Sequence, residues 1–424
     1  MPAGHGMQQV RLAHANGFLW SIGNGLVSTS LVTYLARELG AQGIGISLIV
    51  AAPHLAGVLR LVAPPLIARF DRKRFCLASF IGSVSLLLLL PVLAAPGTLP
   101  TRGLSLAALI GLWALYHLGQ YLATVALWSW LGEITPPRIR GRFLGYRERA
   151  MLAGTIPAML ASGLFSYYWN QNHPKSAHWL GYAMPAAIGA LFMLAALEPL
   201  RRLAAYPQRR RTGAPSFQTQ RFLLAELWAP LQSRSFLGFL AFGIWFSVAN
   251  GLTQSAQFFY PANVLGLGLF SMLALQSGMR LGQIPASPWL GRLCDRWGNR
   301  PVLAGCQLLT AAGLLFYAAA TPASPWWIAG AWVLWIAFAG LNVGLPNLML
   351  GLSPRGSSTS TIALYFAATS LAFGLSSILG GWIYDVWGKS PGYFTAAFVG
   401  GWLVRSLGVG WLWFVREPMR ATLR

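Results

Sequence analysis

"WLGRLCDRWGNRP", residues 289–301, is a short charged passage in an apolar chain. It carries one acid (Asp295), three arginines and two glycines, and apolar residues run long on both sides of it. A chain needs such a passage where it leaves hydrocarbon, turns in water and goes back. The question is whether the rest of the sequence repeats the pattern.

It does. Of 424 residues, 55% are hydrophobic and 9% are charged, against about 25% charged in a soluble domain. Nineteen Trp and 23 Phe exceed what a soluble core needs, so a lipid-facing surface is the first inference. Apolar runs long enough to cross about 30 Å of hydrocarbon recur near 12–36, 44–69, 75–95, 103–131, 143–169, 178–199, 235–260, 267–293, 301–319, 325–350, 358–385 and 393–415. Helices are the expected form of all twelve, because isolated strands cannot satisfy their backbone in lipid. The longest polar connection, within 200–234, separates two sets of six. The expectation is therefore an all-α membrane protein of twelve transmembrane helices in two pseudo-symmetric six-helix bundles, 1–199 and 235–424, joined by a basic linker at 200–234.

The net charge of +22 raises the question of nucleic acid, but the arginines sit in short clusters between apolar runs and form no basic stripe with stacking aromatics. Placed on twelve spans, 24 of the 31 Lys and Arg fall on one side, including those at 69–74, 138–149, 201–234 and 292–300, and four fall on the other. Positive charge gathers on the cytoplasmic side, so both termini are expected there, in the inner membrane. The first apolar stretch is too long for a cleavable signal. Cys76, Cys294 and Cys306 have no ligand spacing, and no phosphate-cradling GxxxxGK[ST] motif occurs. No cofactor, no metal and no enzymatic constellation is expected.

The turn at 289–301 has a counterpart in "APPLIARFDRKRF", 63–75, where Asp71, Arg72 and Pro64 match Asp295, Arg296 and Pro288 at one offset. "TPPRIRGR" (135–142) and "SPRGSS" (353–358) repeat likewise. Repeated halves mark transporter architecture. Here the chain resembles the major facilitator superfamily, whose signature turn reads roughly G-x-x-x-D-R-x-G-R/K-R/K. The second half supplies Gly291, Asp295, Arg296, Gly298 and Arg300, with Asn299 at a usually basic place, while the first half keeps Asp71 and Arg72 but has Ile67 for the leading glycine. "GEITPPRIRGRFLG" resembles the turn after span 4, with Glu133 and Arg140. The resemblance implies a cytoplasmic gate. Asp71 would meet the start of span 11 and Asp295 that of span 5, where helix N-termini attract acids. Arg72, Arg296, Arg140 and Glu133 would add ion pairs across the halves, and these contacts would break when the gate opens.

The resemblance also implies a central cavity lined by spans 1, 4, 7 and 10, with 2, 5, 8 and 11 at its flanks. Polar stripes at helical spacing occur there: Asn16, Trp20, Asn24 and Ser28; His117, Tyr121, Thr124 and Trp128; Asn250, Thr253, Gln254 and Gln257; Gln276, Arg280, Gln283 and Ser287; Trp335 and Asn342; Tyr365 and Thr369. Polar groups at membrane depth face a wet cavity or a partner helix. His54, Arg60, His117, Arg280 and Arg405 are the deep ionisable residues, whereas all nine acids lie at or near helix ends or in loops. Arg405, on a peripheral span, is expected to snorkel. Drug and cation exporters driven by protons generally need a deep carboxylate, which is missing here. The substrate-contact candidates are thus Asn24, His54, Arg60, His117, Tyr121, Asn250, Gln254, Gln276, Arg280, Gln283 and Asn342. His54 or His117 could carry a proton as coupling ion. The expected protein is a monomer in the lipid bilayer that moves a small molecule, an organic anion or polar metabolite by preference, by alternating access. A scaffold or assembly factor on the same fold, and a multidrug efflux pump, are the alternatives.

Overall fold

The computed structural model describes residues 3–62, 66, 71–134, 140–204, 229–352, 358–390 and 392–417. Among them there is no strand beyond one isolated bridge, Thr321–Ser324, and the chain is built of helices as expected. In the first half α1 is Ala3–Leu26 continued by Thr29–Glu38, α2 is Gly43–Ala56 with a 3₁₀ turn Gly57–Val62, and α3 is Arg72–Leu87 with Leu90–Ala94. Then follow α4 (Arg102–Ile134), α5 (Arg140–Asn172) and α6 (His178–Ala195, then Leu197–Arg202). In the second half α7 is Arg234–Phe259 with a π-turn Tyr260–Val264, α8 is Leu269–Trp297, and α9 is Asn299–Ala319. α10 runs as Ile328–Leu334, Trp335–Ala337 and Phe338–Leu352, α11 is Ser358–Trp387, and α12 is Tyr393–Leu407 with a 3₁₀ turn Gly408–Phe414.

Ten of these segments are long and apolar enough to cross a membrane among the described residues. The two others are α1 and α8. Polar side chains interrupt their apolar runs, and α1 is also broken. Ser28 takes an extended conformation and its Oγ accepts from Leu31 N at 3.2 Å, which caps a second helix and ends the first. In α2, Pro53 removes a helical donor, and the 3₁₀ turn that carries Arg60 begins four residues later.

The helices group into two compact units. One comprises Met1–Arg209 with Leu267–Ser277, the other Arg210–Gly266 with Gly278–Arg424. In the first unit the entry to α8 is held by Tyr34 Oη donating to Leu267 O (2.9 Å) and Gln276 Nε2 to Ser30 Oγ (2.8 Å). Phe270 and Leu273 lie against Gly163. Each unit has its own apolar core. In the first it joins Phe80, Trp130 and Leu200, and in the second Phe239, Leu303, Tyr365 and Leu412. Leu407, Val333 and Trp413 are exposed. In a chain of membrane-spanning helices that outward apolar surface suits lipid contact.

The tightest seam in each unit is glycine-lined, and the two seams repeat. Gly17, Ser21, Asn24 and Gly25 of α1 match Gly243, Ser247, Asn250 and Gly251 of α7 in sequence register. A Cβ on Gly25 would meet Thr155, Ala158 and Met159 of α5, and one on Gly251 would meet Phe373, Ser376 and Ser377 of α11, at the same relative spacing. The closest backbone atoms would be Thr155 O at 2.6 Å and Phe373 O at 2.7 Å, so only glycine permits these approaches. The pseudo-symmetry is thus legible contact by contact inside each unit.

Candidate functional site

The deep ionisable residues of the first half converge. α2 brings His54 and Arg60, and α4 brings His117 and Tyr121. The Arg60 guanidinium carbon lies 3.8 Å from the Tyr121 ring centroid, a cation–π contact worth about 2 kcal/mol when desolvated. His54, Arg60 and His117 are within electrostatic reach of one another. His117 is packed among rings, with centroids at 4.4 Å to Trp113, 4.9 Å to Tyr116 and 5.7 Å to Tyr121. Both its ring nitrogens are buried and meet no hydrogen-bond partner among the described residues. Beneath it Gln120 Nε2 donates to Tyr116 Oη, and Tyr116 Oη donates to Met193 Sδ at 3.5 Å. The result is a positively charged, aromatic-walled locus. Tyr116 belongs to it and was missed by stripe reading, because it lies off the His117–Tyr121 face.

The remaining contact candidates do not gather in this way. Gln276 spends its amide on Ser30, which is interhelical bonding within the first unit. Gln283 Nε2 approaches Trp335 O at 3.5 Å, and Asn250 Nδ2 donates to Phe246 O of its own helix at 2.7 Å. Asn24, Gln254 and Arg280 are half-buried, and Asn342 is exposed. Several stripe members face partners inside their unit. Asn16 donates to Ala196 O (2.9 Å) and accepts from Arg147 (3.2 Å). Tyr365 is stacked on Phe239 at 4.5 Å in the core.

Two arginines correct the sequence reading. Arg405 does not snorkel: it is 1% exposed, twelve residues into α12 or roughly 18 Å along it. Its Nη2 donates to Thr253 Oγ1 at 2.7 Å, which also receives Gln257 Nε2 at 2.8 Å. Gln307 Nε2 donates to Arg405 O at 3.0 Å. Gly401 lets α12 approach Thr253 closely enough for this, since a Cβ there would stand 2.5 Å from Thr253 Cγ2. Arg147, counted with the arginines of the polar turn, is 5% exposed. It lies over Gly17 and bonds Asn16 Oδ1 and Met151 Sδ.

Of the residues expected at the cytoplasmic turns, the side chains of Glu133, Arg140 and Asp295 lie outside the described residues. Asp71 Oδ1 accepts from Arg74 N at 2.8 Å and caps its own helix, α3; Arg72 beside it is half-buried. In the second half the cap position of α9 is Gly298, with φ 88°, flanked by exposed Arg296 and half-buried Arg300, with Gly291 one turn upstream of Asp295. The missing cap is supplied by Glu417, whose carboxylate accepts from Asn299 N (3.1 Å) and Arg300 N. A Cβ on residue 298 would stand 2.9 Å from that carboxylate. Nothing local to Glu417 signals this role, because its partners are more than a hundred residues away in sequence.

The sequence pattern of the Major Facilitator Superfamily matches residues 14–280 and 271–423, and the chain belongs to that family of membrane transporters. Solved structures agree on the fold. The nucleoside transporter NupG (D323A mutant) is similar at a TM-score of 0.71 and 14% identity, over 96% of this chain and 100% of the other. A D-xylose-proton symporter is similar at 0.69 and 15%, over 97% and 98%. A second NupG structure is similar at 0.63 and 15%, over 97% and 96%. No curated protein matches. The protein is thus a multi-pass membrane protein of a transporter family.

Proposed function

We propose that the chain is a secondary transporter that moves a small polar or anionic organic solute by alternating access of two bundles, 1–199 and 235–424, joined by the linker 200–234. The single observation that supports the solute class is the locus of Arg60 stacked on Tyr121 beside His54 and His117. A guanidinium there offers charge-assisted hydrogen bonds, and the flanking rings offer an apolar wall. No acid of the chain is expected at that depth to neutralise it. The open nitrogens of His117 fit a substrate hydrogen bond or a coupling proton. The biased arginine distribution supports both termini on the cytoplasmic side of an inner membrane, and a monomer is the simplest reading.

The test is uptake by the purified protein in proteoliposomes, screened over organic acids, sugars and nucleosides with and without a pH gradient. For the solute that is moved, Arg60→Ala lowers transport at least about tenfold, the loss of one charge-assisted contact. Arg60→Lys retains charge but not the flat stacked face and recovers only part. Full transport in Arg60→Ala refutes the assignment of the locus.

A further inference from the structure

The α9 start and the α12 end form a cleft of about 440 Å³ in the second unit. Its walls are Trp297, Pro301 and Ala304 on one side and Val409, Leu412 and Trp413 on the other, with Arg300 and Glu417 at one end. The walls are the first turns of α9, with Trp297 just before it, and the 3₁₀ end of α12, both membrane-spanning segments, so the cleft sits at the boundary between hydrocarbon and water. Trp297 is 67% exposed and Trp413 78% exposed, as suits indoles at the headgroup level. Cations outnumber acids at the polar end: Arg300 and Glu417 line it, and Arg296 and Arg416, each next in sequence to a lining residue, are exposed. Arg296, Arg300 and Arg416 are in no ion pair among the described residues, unlike Arg201 and Arg202, which pair with Glu198. The Glu417 carboxylate is committed to the backbone donors of Asn299 and Arg300.

We propose that this cleft binds one anionic phospholipid, with an acyl chain along Pro301, Ala304 and Leu412 between the two indoles and the phosphate at Arg300, Arg296 and Arg416. Charge complementarity selects the headgroup: three guanidiniums offer bidentate donors to phosphate. The apolar walls select a lipid over a free anion, since a free anion would leave Trp297 and Trp413 without a partner. A basic pocket between helix ends is the general form of such a site. The reading is independent of what the transporter carries.

The full chain, in nanodiscs of phosphatidylcholine with increasing phosphatidylglycerol, is released and weighed by native mass spectrometry. One phosphatidylglycerol is expected to stay bound in preference to phosphatidylcholine. Arg300→Gln and Arg416→Gln each weaken its retention about fivefold, and the pair more. Trp413→Ala weakens it through the chain contact, and Lys389→Gln, exposed just before the start of α12 and so at the far end of that helix from the cleft, leaves it unchanged. Thermal unfolding in pure phosphatidylcholine verifies that each variant is folded. Equal retention of both lipids, or retention unchanged in the double arginine variant, overturns the proposal. So does inorganic phosphate alone stabilising the protein as much as phosphatidylglycerol does, which would mark a free-anion site.

Discussion

At matching register the two halves set a glycine against unlike side chains. Gly17 of α1 lies under the guanidinium of Arg147, and Gly243 of α7 lies under the ring of Tyr365. The helix approach is the same, and the neighbouring glycines, Gly25 and Gly251, make the same backbone contacts. What diverged is the chemistry placed in the space the glycine leaves. The first half holds a buried cation at its seam, bonded to Asn16, and the second fills the place with a stacked aromatic. The second half has its buried cation elsewhere, Arg405 between α12 and α7. Backbone packing is the part of the repeat that tolerates least change. The side chains above it were free to become two different interiors.

The largest effect is expected where Arg405 meets Thr253. A buried cation that loses its acceptor costs about 3 kcal/mol. Thr253→Val should lower stability by that much in thermal or denaturant unfolding of the purified protein. Asn16→Leu in the other half should cost less, because Arg147 keeps Met151 Sδ. Replacing charge and acceptor together, Arg405→Met with Thr253→Val, should recover most of the loss, since a well-packed apolar pair avoids the desolvation term. If the double variant is as unstable as Thr253→Val alone, the arginine's bond is not what holds α12 to α7.

The seam itself gives a sharper contrast. An added Cβ on Gly243 would stand 2.6 Å from Tyr365 Oη and 2.7 Å from its ring, a rigid core group with nowhere to go. On Gly17 it would stand 2.9 Å from Arg147 Nη1, the end of a flexible side chain. Gly243→Ala should therefore cost about 2 kcal/mol by overpacking, and Gly17→Ala less than about 1 kcal/mol. Equal costs, measured by the same unfolding assay, would mean that Tyr365 can swing aside and that the two seams are less alike than their spacing.

The helical class and the repeat of the halves were legible in the sequence because hydrocarbon imposes a length on every span. The union of His54, Arg60, His117 and Tyr121 was partly legible, since each is a costly residue at depth and the list of such residues is short. The facing of each polar stripe was not. Residues four apart share a helix face, but the pattern does not tell whether that face meets a cavity or another helix, so it left both open for Asn16, Thr253 and Tyr365, which pack against partners inside their units. Arg147 was hidden by its neighbours: four arginines of a polar turn surround it at 138–149, and only Gly17, far away in sequence, marks the space it fills.

The two signature turns differ in the smallest way and give the finest test. Where α3 is capped by its own Asp71, α9 begins at a glycine and takes its cap from Glu417 at the other end of the half. A lost side-chain cap costs about 1 kcal/mol, so Asp71→Ala and Glu417→Ala should look alike in global stability. Amide exchange separates them. Asp71→Ala should speed exchange at Arg74 and leave Asn299 unchanged, and Glu417→Ala should do the reverse at Asn299 and Arg300. Asp71→Asn, which can still accept, should stay within a few tenths of a kcal/mol of the parent. Glu417→Gln should fall between, because it keeps an acceptor but loses the charge that the helix N-terminus favours. If Glu417→Ala leaves the α9 amides protected, the second turn has a different cap, and the contrast between a local and a borrowed acid fails.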